Sequence, residues 1–253
     1  MTNADFADAN LTNAKFTDAA VNGANLSNTV AKGFTESQLK STKSYQDKDL
    51  SGIKLGSNDL SGWDFNGQNL TNANFTDAIV NGANFRNTVS NGFTESQLKS
   101  TKSYQDKDLS GIILTSNDLS GWDFNGQNLT NTNFGWSTLT NTDFSNATVK
   151  GANFSDTVSQ GFTEAQLKST KSYQDKDLSG IDLSYNDLSG WDFNGQNLTN
   201  AKFTDATVNG ADFSNAKGTE VGKAWHDEYY PFEQRLFGCC LEFRRRGLDE
   251  YKA

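Results

Sequence analysis

Few residues in this chain of 253 could do chemistry. Its one histidine, His226, stands beside Asp227 and Glu228, a grouping that suits a general base. No serine or cysteine nucleophile pattern accompanies it, and a surface place is the simpler reading. Carboxylates are plentiful. Pairs such as Asp59 and Asp64 could hold Ca2+ or share acid–base work. They recur in almost every unit, whereas a catalytic site is single, so corner hydrogen bonding and solubility explain them better. Cys239 and Cys240, followed by Arg244–Arg246, could be a lipid-modified pair beside a basic patch. Two small apolar residues on a helix face, followed by cations at that helix's end, account for them better. Asn-Leu-Thr at 10–12, 69–71, 128–130 and 197–199 matches a glycosylation acceptor, but it follows from the repetition itself. The chain reads as a non-enzyme, with no catalytic residue, cofactor or metal site expected.

What positions all of these residues is a frame of five. From Leu50, every fifth residue is large and apolar: Leu55, Leu60, Phe65, Leu70, Phe75, Val80 and Phe85. Between them lie mostly Asp, Asn, Ser, Thr, Gly and Ala. On an α-helix five residues overshoot one turn, so the stripe would wind around the surface. On a strand, successive members would fall on opposite faces. The spacing needs a path that turns once per five residues and returns each bulky side chain to one axis. Such a path needs only a thin core, which fits a chain with 34% hydrophobic residues, one Pro and net charge -9. Composition alone would lean towards disorder; the strict spacing outweighs it.

The frame starts at Phe6, Leu11, Phe16, Val21 and Leu26, with alanine two residues before each. This unit resembles the pentapeptide-repeat family, with near-ideal copies at 4–6, 9–11, 14–16, 83–85 and 211–213. The resemblance covers roughly residues 3–217. It implies an all-β fold, a right-handed quadrilateral β-helix with four pentapeptides per coil. The large residue and the small one two before it would both point inward. Trp63, Trp122 and Trp191 take that second inward place and read as wide packing residues rather than a sugar platform. The regular sides alone predict a rod of roughly 35–40 Å at ~4.8 Å per stacked strand.

Three nearly identical segments interrupt this β-helix domain (1–218), near 33–47, 92–106 and 161–175. The first reads GFTESQLKSTKSYQDKDLSGI from Gly33. Thr35 and Gln38 form a capping-box pattern, and Phe34 and Leu39 a hydrophobic staple. One to two helical turns are expected over Glu36–Lys43, as one of three short helical protrusions. Candidate contacts on them are Gln38, Lys40, Lys43, Gln97, Lys99, Lys102, Gln166, Lys168 and Lys171. The interval from Phe93 to Phe162 exceeds that from Phe34 to Phe93 by two pentapeptides. Two pentapeptides are half a four-sided coil. The third protrusion should therefore emerge half a turn from where the first spacing would place it.

After Gly218 the frame is lost. Phe232, Leu236, Phe237, Cys240 and Leu241 recur at helical spacing, Pro231 suits a start, and Gly247 suits a stop. An amphipathic helix over Phe232–Arg246 is expected, within a C-terminal segment (219–253) that caps the shaft or joins two copies. Its candidate contacts are Tyr229, Phe232, Leu236, Phe237 and Leu241.

The functional expectation is a structural or interaction scaffold: an acidic rod displaying repeated protrusions to a protein partner, as a monomer or a C-terminally joined homodimer. Near identity of the three copies is equally the mark of recent duplication or of design. The alternative is inhibition of DNA gyrase or another topoisomerase by DNA mimicry, which some members of the resembled family perform. A third reading, ice binding by a flat Ser/Thr array, is disfavoured by the mixed residues that follow each central position. The acidic balance argues against direct contact with nucleic acid, which favours clustered Lys and Arg. No leader or membrane-spanning run is visible, and the two cysteines form no disulfide framework, so a reducing, cytoplasmic setting is expected.

Overall fold

In the computed structural model, residues 1–218 are described throughout, with the backbone of 232–237 and 240–245 beyond them. The five-residue frame closes into a coil. Parallel bridges join Asp49 to Asn69, Lys54 to Asn74, Asp59 to Ile79 and Asp64 to Asn84. Each of four successive pentapeptides thus meets the one four pentapeptides further on, which makes a four-sided β-helical solenoid. Each side is so short that its extended part shrinks to one bridge, and turns take up the rest.

Those turns explain the small polar residues. Leu70 O accepts the N–H of Ala73 at 2.9 Å, and Asn72 between them has φ 58°, the positive value a type II turn needs at its third residue. Asn and Asp tolerate that conformation better than other side chains. The carboxylates and amides at the start of each turn accept the N–H two residues on. Asp59 takes that of Ser61 at 3.0 Å, and Asp64 that of Asn66 at 2.9 Å. The recurring Asp residues therefore work as corner acceptors.

Inside, Leu50, Leu55, Leu60, Phe65, Leu70, Phe75, Val80 and Phe85 are fully buried, and Ala78 and Ala83 fill the small places between them. The rings touch in an unbroken column. Phe65 meets Phe75 edge-on at 5.5 Å and Phe85 face-on at 5.2 Å, and the same alternation continues to Phe213. Offset-stacked and edge-on pairs are the arrangements that aromatic quadrupoles favour.

Each interruption forms two short helices, not one. They are α1 (Glu36–Lys40) and α2 (Lys43–Gln46), α3 (Glu95–Lys99) and α4 (Lys102–Gln105), and α5 (Glu164–Ser169) and α6 (Lys171–Gln174). A 3-10 turn precedes each pair, the first at Val30–Lys32. The single helix expected over Glu36–Lys43 breaks because Thr42 is extended (ψ 149°) and caps α2, its hydroxyl accepting the Tyr45 N–H at 3.1 Å. The break also frees the Lys43 N–H to bond Ala19 O, in the coil below, at 3.0 Å.

The pairs are built into the wall. Phe34, Leu39, Thr42 and Ser44 are all buried, so only one face of each pair points outward. Bridges across them run from Asn25 to Lys54, Asn84 to Ile113 and Asn153 to Asp182, so each pair lengthens one coil by almost two sides. With these coils included, the shaft has about nine and a half turns, roughly 45 Å in length.

The ladder from Asp64 through Asn84, Ile113, Asn133, Asn153 and Asp182 to Lys202 is unbroken. It rises from the sides that α1 and α2 fill. The ladder through Lys54 and Asn74 is interrupted by α3 and α4, resumes at Asp123 and Asp143, stops at α5 and α6, and resumes at Asp192 and Asp212. The second and third pairs are therefore in line, three coils apart, with the first half a turn away. Equal spacing would have set the third pair above the first; the two extra pentapeptides displace it by the expected half turn, into line with the second.

Beyond the shaft, the expected helix over Phe232–Arg246 does not form. Strands β1 (Phe232–Phe237) and β2 (Cys240–Arg245) pair antiparallel, Phe232 opposite Arg245 and Phe237 opposite Cys240. The reason lies in residue types. Gly238 would sit inside the helix, where glycine costs about 1 kcal/mol relative to alanine. The strand register instead sets Glu233 opposite Arg244 and Arg235 opposite Glu242, combinations of opposite charge that favour pairing.

Candidate interaction surface

Each helix pair is held by polar residues that reach across coils. Thr35 and Gln38 complete the capping box, the Gln38 carbonyl oxygen accepting the Thr35 N–H at 2.7 Å. The Gln38 amide then donates to Leu11 O at 2.9 Å and Ala14 O at 2.8 Å, in the coil below. Gln97 repeats this with Leu70 and Ala73, and Gln166 with Leu139 and Thr142. These three glutamines therefore spend their amides on their own chain. Ser44 accepts the Val21 N–H at 2.9 Å and donates to Asn22 Oδ1 at 2.7 Å.

Towards the coil above, Tyr45 donates its hydroxyl to Asp64 O at 2.8 Å, and Glu36 accepts the Asp64 N–H at 2.7 Å. Burial pushes the Tyr45 phenol well above its ordinary value, with the Asp64 charge acting the same way. Tyr173, in the same place, is pushed up to about 12 by burial first and Asp192 second. These phenols stay neutral donors. The three tryptophans fit as packing residues: Trp63, Trp122 and Trp191 lie 5.9, 6.1 and 6.0 Å from Phe34, Phe93 and Phe162.

Two buried residues went unnoticed in the sequence. Asn58 accepts the N–H groups of Thr29 and Val30 and donates to Leu26 O and Leu55 O, all within 3.0 Å. Gln68 donates to Tyr45 O at 3.1 Å while its Oε1, like those of Gln127 and Gln196, has no partner. The signal was present: both stand two residues before a leucine, the inward place that alanine usually fills.

The outward faces carry lysines in local pairs. Lys40 meets Glu36 at 2.8 Å and Lys43 meets Asp47 at 2.7 Å. Lys99 and Lys168 pair with Glu95 and Glu164 and reach a second carboxylate, Asp123 at 3.5 Å and Asp192 at 3.6 Å. Hydrogen bonding to Glu95 holds the Lys99 ammonium above its ordinary value. Lys102 and Lys171 pair with Asp106 and Asp175, both at 2.6 Å. Pairs this exposed contribute little to stability, which leaves the lysines free to exchange partners. The surface offers charge and hydrogen bonding. Among the described residues no cluster of His, Cys, Asp and Glu is arranged to hold a metal ion, and no helix is long and apolar enough to cross a membrane.

Phe232, Leu236, Phe237 and Leu241 belong to the hairpin strands β1 and β2. Tyr229, His226 and Cys239 lie outside the described residues.

The family model for pentapeptide repeats matches in eight copies, over residues 1–29, 49–87, 118–156 and 177–215. Each of its gaps contains one helix pair. No curated protein matches the chain. Among solved structures, a pentapeptide repeat protein of the Arabidopsis thaliana thylakoid lumen is 29% identical over 43% of this chain and 69% of its own, with a TM-score of 0.22. HetL, involved in heterocyst differentiation regulation in the cyanobacterium Nostoc, is 23% identical over 85% of both chains, with a TM-score of 0.24. QnrB1, a plasmid-mediated fluoroquinolone resistance protein, is 16% identical over 85% of this chain and 80% of its own, with a TM-score of 0.20.

Proposed function

The chain belongs to the pentapeptide-repeat family, and from that premise we propose that it is a non-enzymatic interaction scaffold, a right-handed shaft that presents helix pairs to a protein partner. One observation carries this reading. Three nearly identical polar faces are fixed to the shaft by hydrogen bonds from the coils on either side, two of them in line. Three coils separate those two by roughly 14 Å. That is closer than the width of a small domain, so one partner surface would span both. A partner with two contact points would then gain through effective concentration. The lysines are the proposed contacts, Lys99, Lys102, Lys168 and Lys171 on the paired side and Lys40 and Lys43 opposite. Gln38, Gln97 and Gln166 set the faces in place.

DNA mimicry is the weaker reading. Residues 1–218 carry 24 acidic against 16 basic side chains, and six of those lysines interrupt the acidic surface at the helix pairs. A supercoiling assay that shows gyrase inhibition at micromolar protein would promote it.

The test is a quantitative pull-down with the full chain. Glu replacing Lys102 and Lys171 together should abolish retention of the partner, whereas Glu replacing Lys43 alone should leave most of it. An unchanged set of retained proteins after all three replacements would overturn the proposal.

A further inference from the structure

Trp136 and Tyr185 stand apart from the rest of the surface, each 54% exposed. Both sit at a corner with positive φ, 57° and 61°, a place held mostly by Asn, Asp and Gly elsewhere in the shaft. A bulky side chain is disfavoured there. They also share one column. Ser116 N–H bonds Gly135 O, Trp136 N–H bonds Ser155 O, Asp156 N–H bonds Ser184 O, and Tyr185 N–H bonds Thr204 O. Trp136, Asp156 and Tyr185 are therefore successive steps of one ladder. The two aromatic residues are two coils apart, roughly 10 Å, with Asp156 midway.

Among the described residues, the Asp156 carboxylate accepts only the Ser159 hydroxyl, at a long 3.4 Å. Asp118 and Asp187, both exposed, begin the adjoining side two residues beyond Ser116 and Tyr185. A cation seated over Asp156 would be one coil, ~4.8 Å, from either aromatic position. Attraction to an aromatic face extends to about 6 Å.

We propose that the Trp136–Asp156–Tyr185 stripe is a docking surface for an arginine side chain on an extended segment of a protein partner. A guanidinium is planar, stacks on aromatic faces and grips a carboxylate through two parallel hydrogen bonds, which a lysine ammonium does not. Charge complementarity selects this occupant over two others. A neutral sugar would cover Asp156 without satisfying its charge, and the same stripe of a second copy would set carboxylate against carboxylate. The surface is separate from the outward lysines of the helix pairs. Its failure would leave the scaffold reading intact, and the reverse holds too.

The test titrates the 15N-labelled full chain with acetyl-Gly-Ser-Arg-Ser-Gly-amide and follows the Trp136 indole signal by NMR. A saturable shift is expected with this peptide and none with its citrulline counterpart, which keeps the shape and lacks the charge. Asp156→Asn should weaken binding roughly fivefold, the worth of one exposed ion pair. Tyr185→Asn, which keeps the Trp136 indole as reporter, should weaken it severalfold more. Trp136→Asn with Tyr185→Asn, followed through the Asp156 backbone amide, should abolish it. Asn suits the positive φ, so these variants keep the fold, and unchanged far-ultraviolet circular dichroism checks that they do. Three results would overturn the proposal: no saturable shift at tens of millimolar peptide, an equal shift with citrulline or with cellohexaose, or a shift that follows protein concentration without peptide.

Discussion

Asn58 accepts the backbone N–H of Thr29, from the coil below, at 2.8 Å. The contact is fully internal, since Thr29 is 0% and Asn58 3% exposed. It lies where the regular frame gives way to the first helix pair. With its other three bonds, Asn58 also holds the Val30 N–H and the Leu55 carbonyl, and shares the Leu26 carbonyl with the Thr29 hydroxyl. Asn117 and Asn186 do the same above the other two pairs.

Replacing Asn58 with alanine should therefore destabilise the chain by about 2–4 kcal/mol, because a buried unsatisfied group costs ~1–3 kcal/mol and several are exposed at once. Urea unfolding of N58A, N117A and N186A measures it. Losses under about 0.5 kcal/mol, less than one ordinary hydrogen bond contributes, would mean that the helix pairs need no such clasp.

Gln38 and Lys43 should behave oppositely. Q38A removes the capping box and two bonds to the coil below, so about 1–2 kcal/mol should be lost. K43A removes one exposed pair with Asp47 and should change stability by less than about 0.5 kcal/mol. Equal effects would contradict the division between inner clasp and outer face.

The orphan Oε1 atoms of Gln68, Gln127 and Gln196 predict one buried water beside each helix pair. Unpartnered buried acceptors are rare, and an ordered water is the usual remedy. A high-resolution crystal structure should show three equivalent waters; empty density at all three places would refute this.

Stability should fall at both ends of the pH scale, for different reasons. The Lys150 ammonium, 2.7 Å away, is the main cause that holds the Asp177 carboxyl down to about 2, with Ser179 assisting. Its contribution is present above the ordinary carboxylate value near 3.8 and is lost as pH falls through about 2. Tyr173 runs the other way. Its raised value means a contribution present below the ordinary phenol value near 10 and lost as pH rises through about 12. Thermal melts across pH should show D177N flattening only the acid arm and Y173F only the alkaline arm.

Trp136→Asn and Tyr185→Asn should each raise stability by about 1 kcal/mol, by relieving a disfavoured backbone conformation. A rise in unfolding midpoint alongside lost arginine binding would mark these two residues as kept at a cost. A fall in midpoint would show instead that the rings pack usefully where they stand.

The sequence by itself determined the shaft. A large apolar residue at every fifth position, from Phe6 onward, admits one kind of path, because neither helix nor strand returns that spacing to a single side. It also determined where the helix pairs begin, since Thr35 and Gln38 make a signal complete within one helical turn. The spacing of Phe34, Phe93 and Phe162 determined their half-turn offset. Only the tertiary structure decided what depends on residues from different coils. Gln38 looked like a surface contact until Leu11 and Ala14 were placed beneath it, and Asn58 had no visible role until Thr29 was set against it. The stripe of Trp136, Asp156 and Tyr185 exists only once coils stack, since its members lie in three different coils. Near the C-terminus, apolar residues at helical spacing lost to β1 and β2, because local periodicity cannot weigh pairing between two strands. Contacts within one pentapeptide are fixed by adjacent residues, whereas those between coils depend on a register that no short window contains.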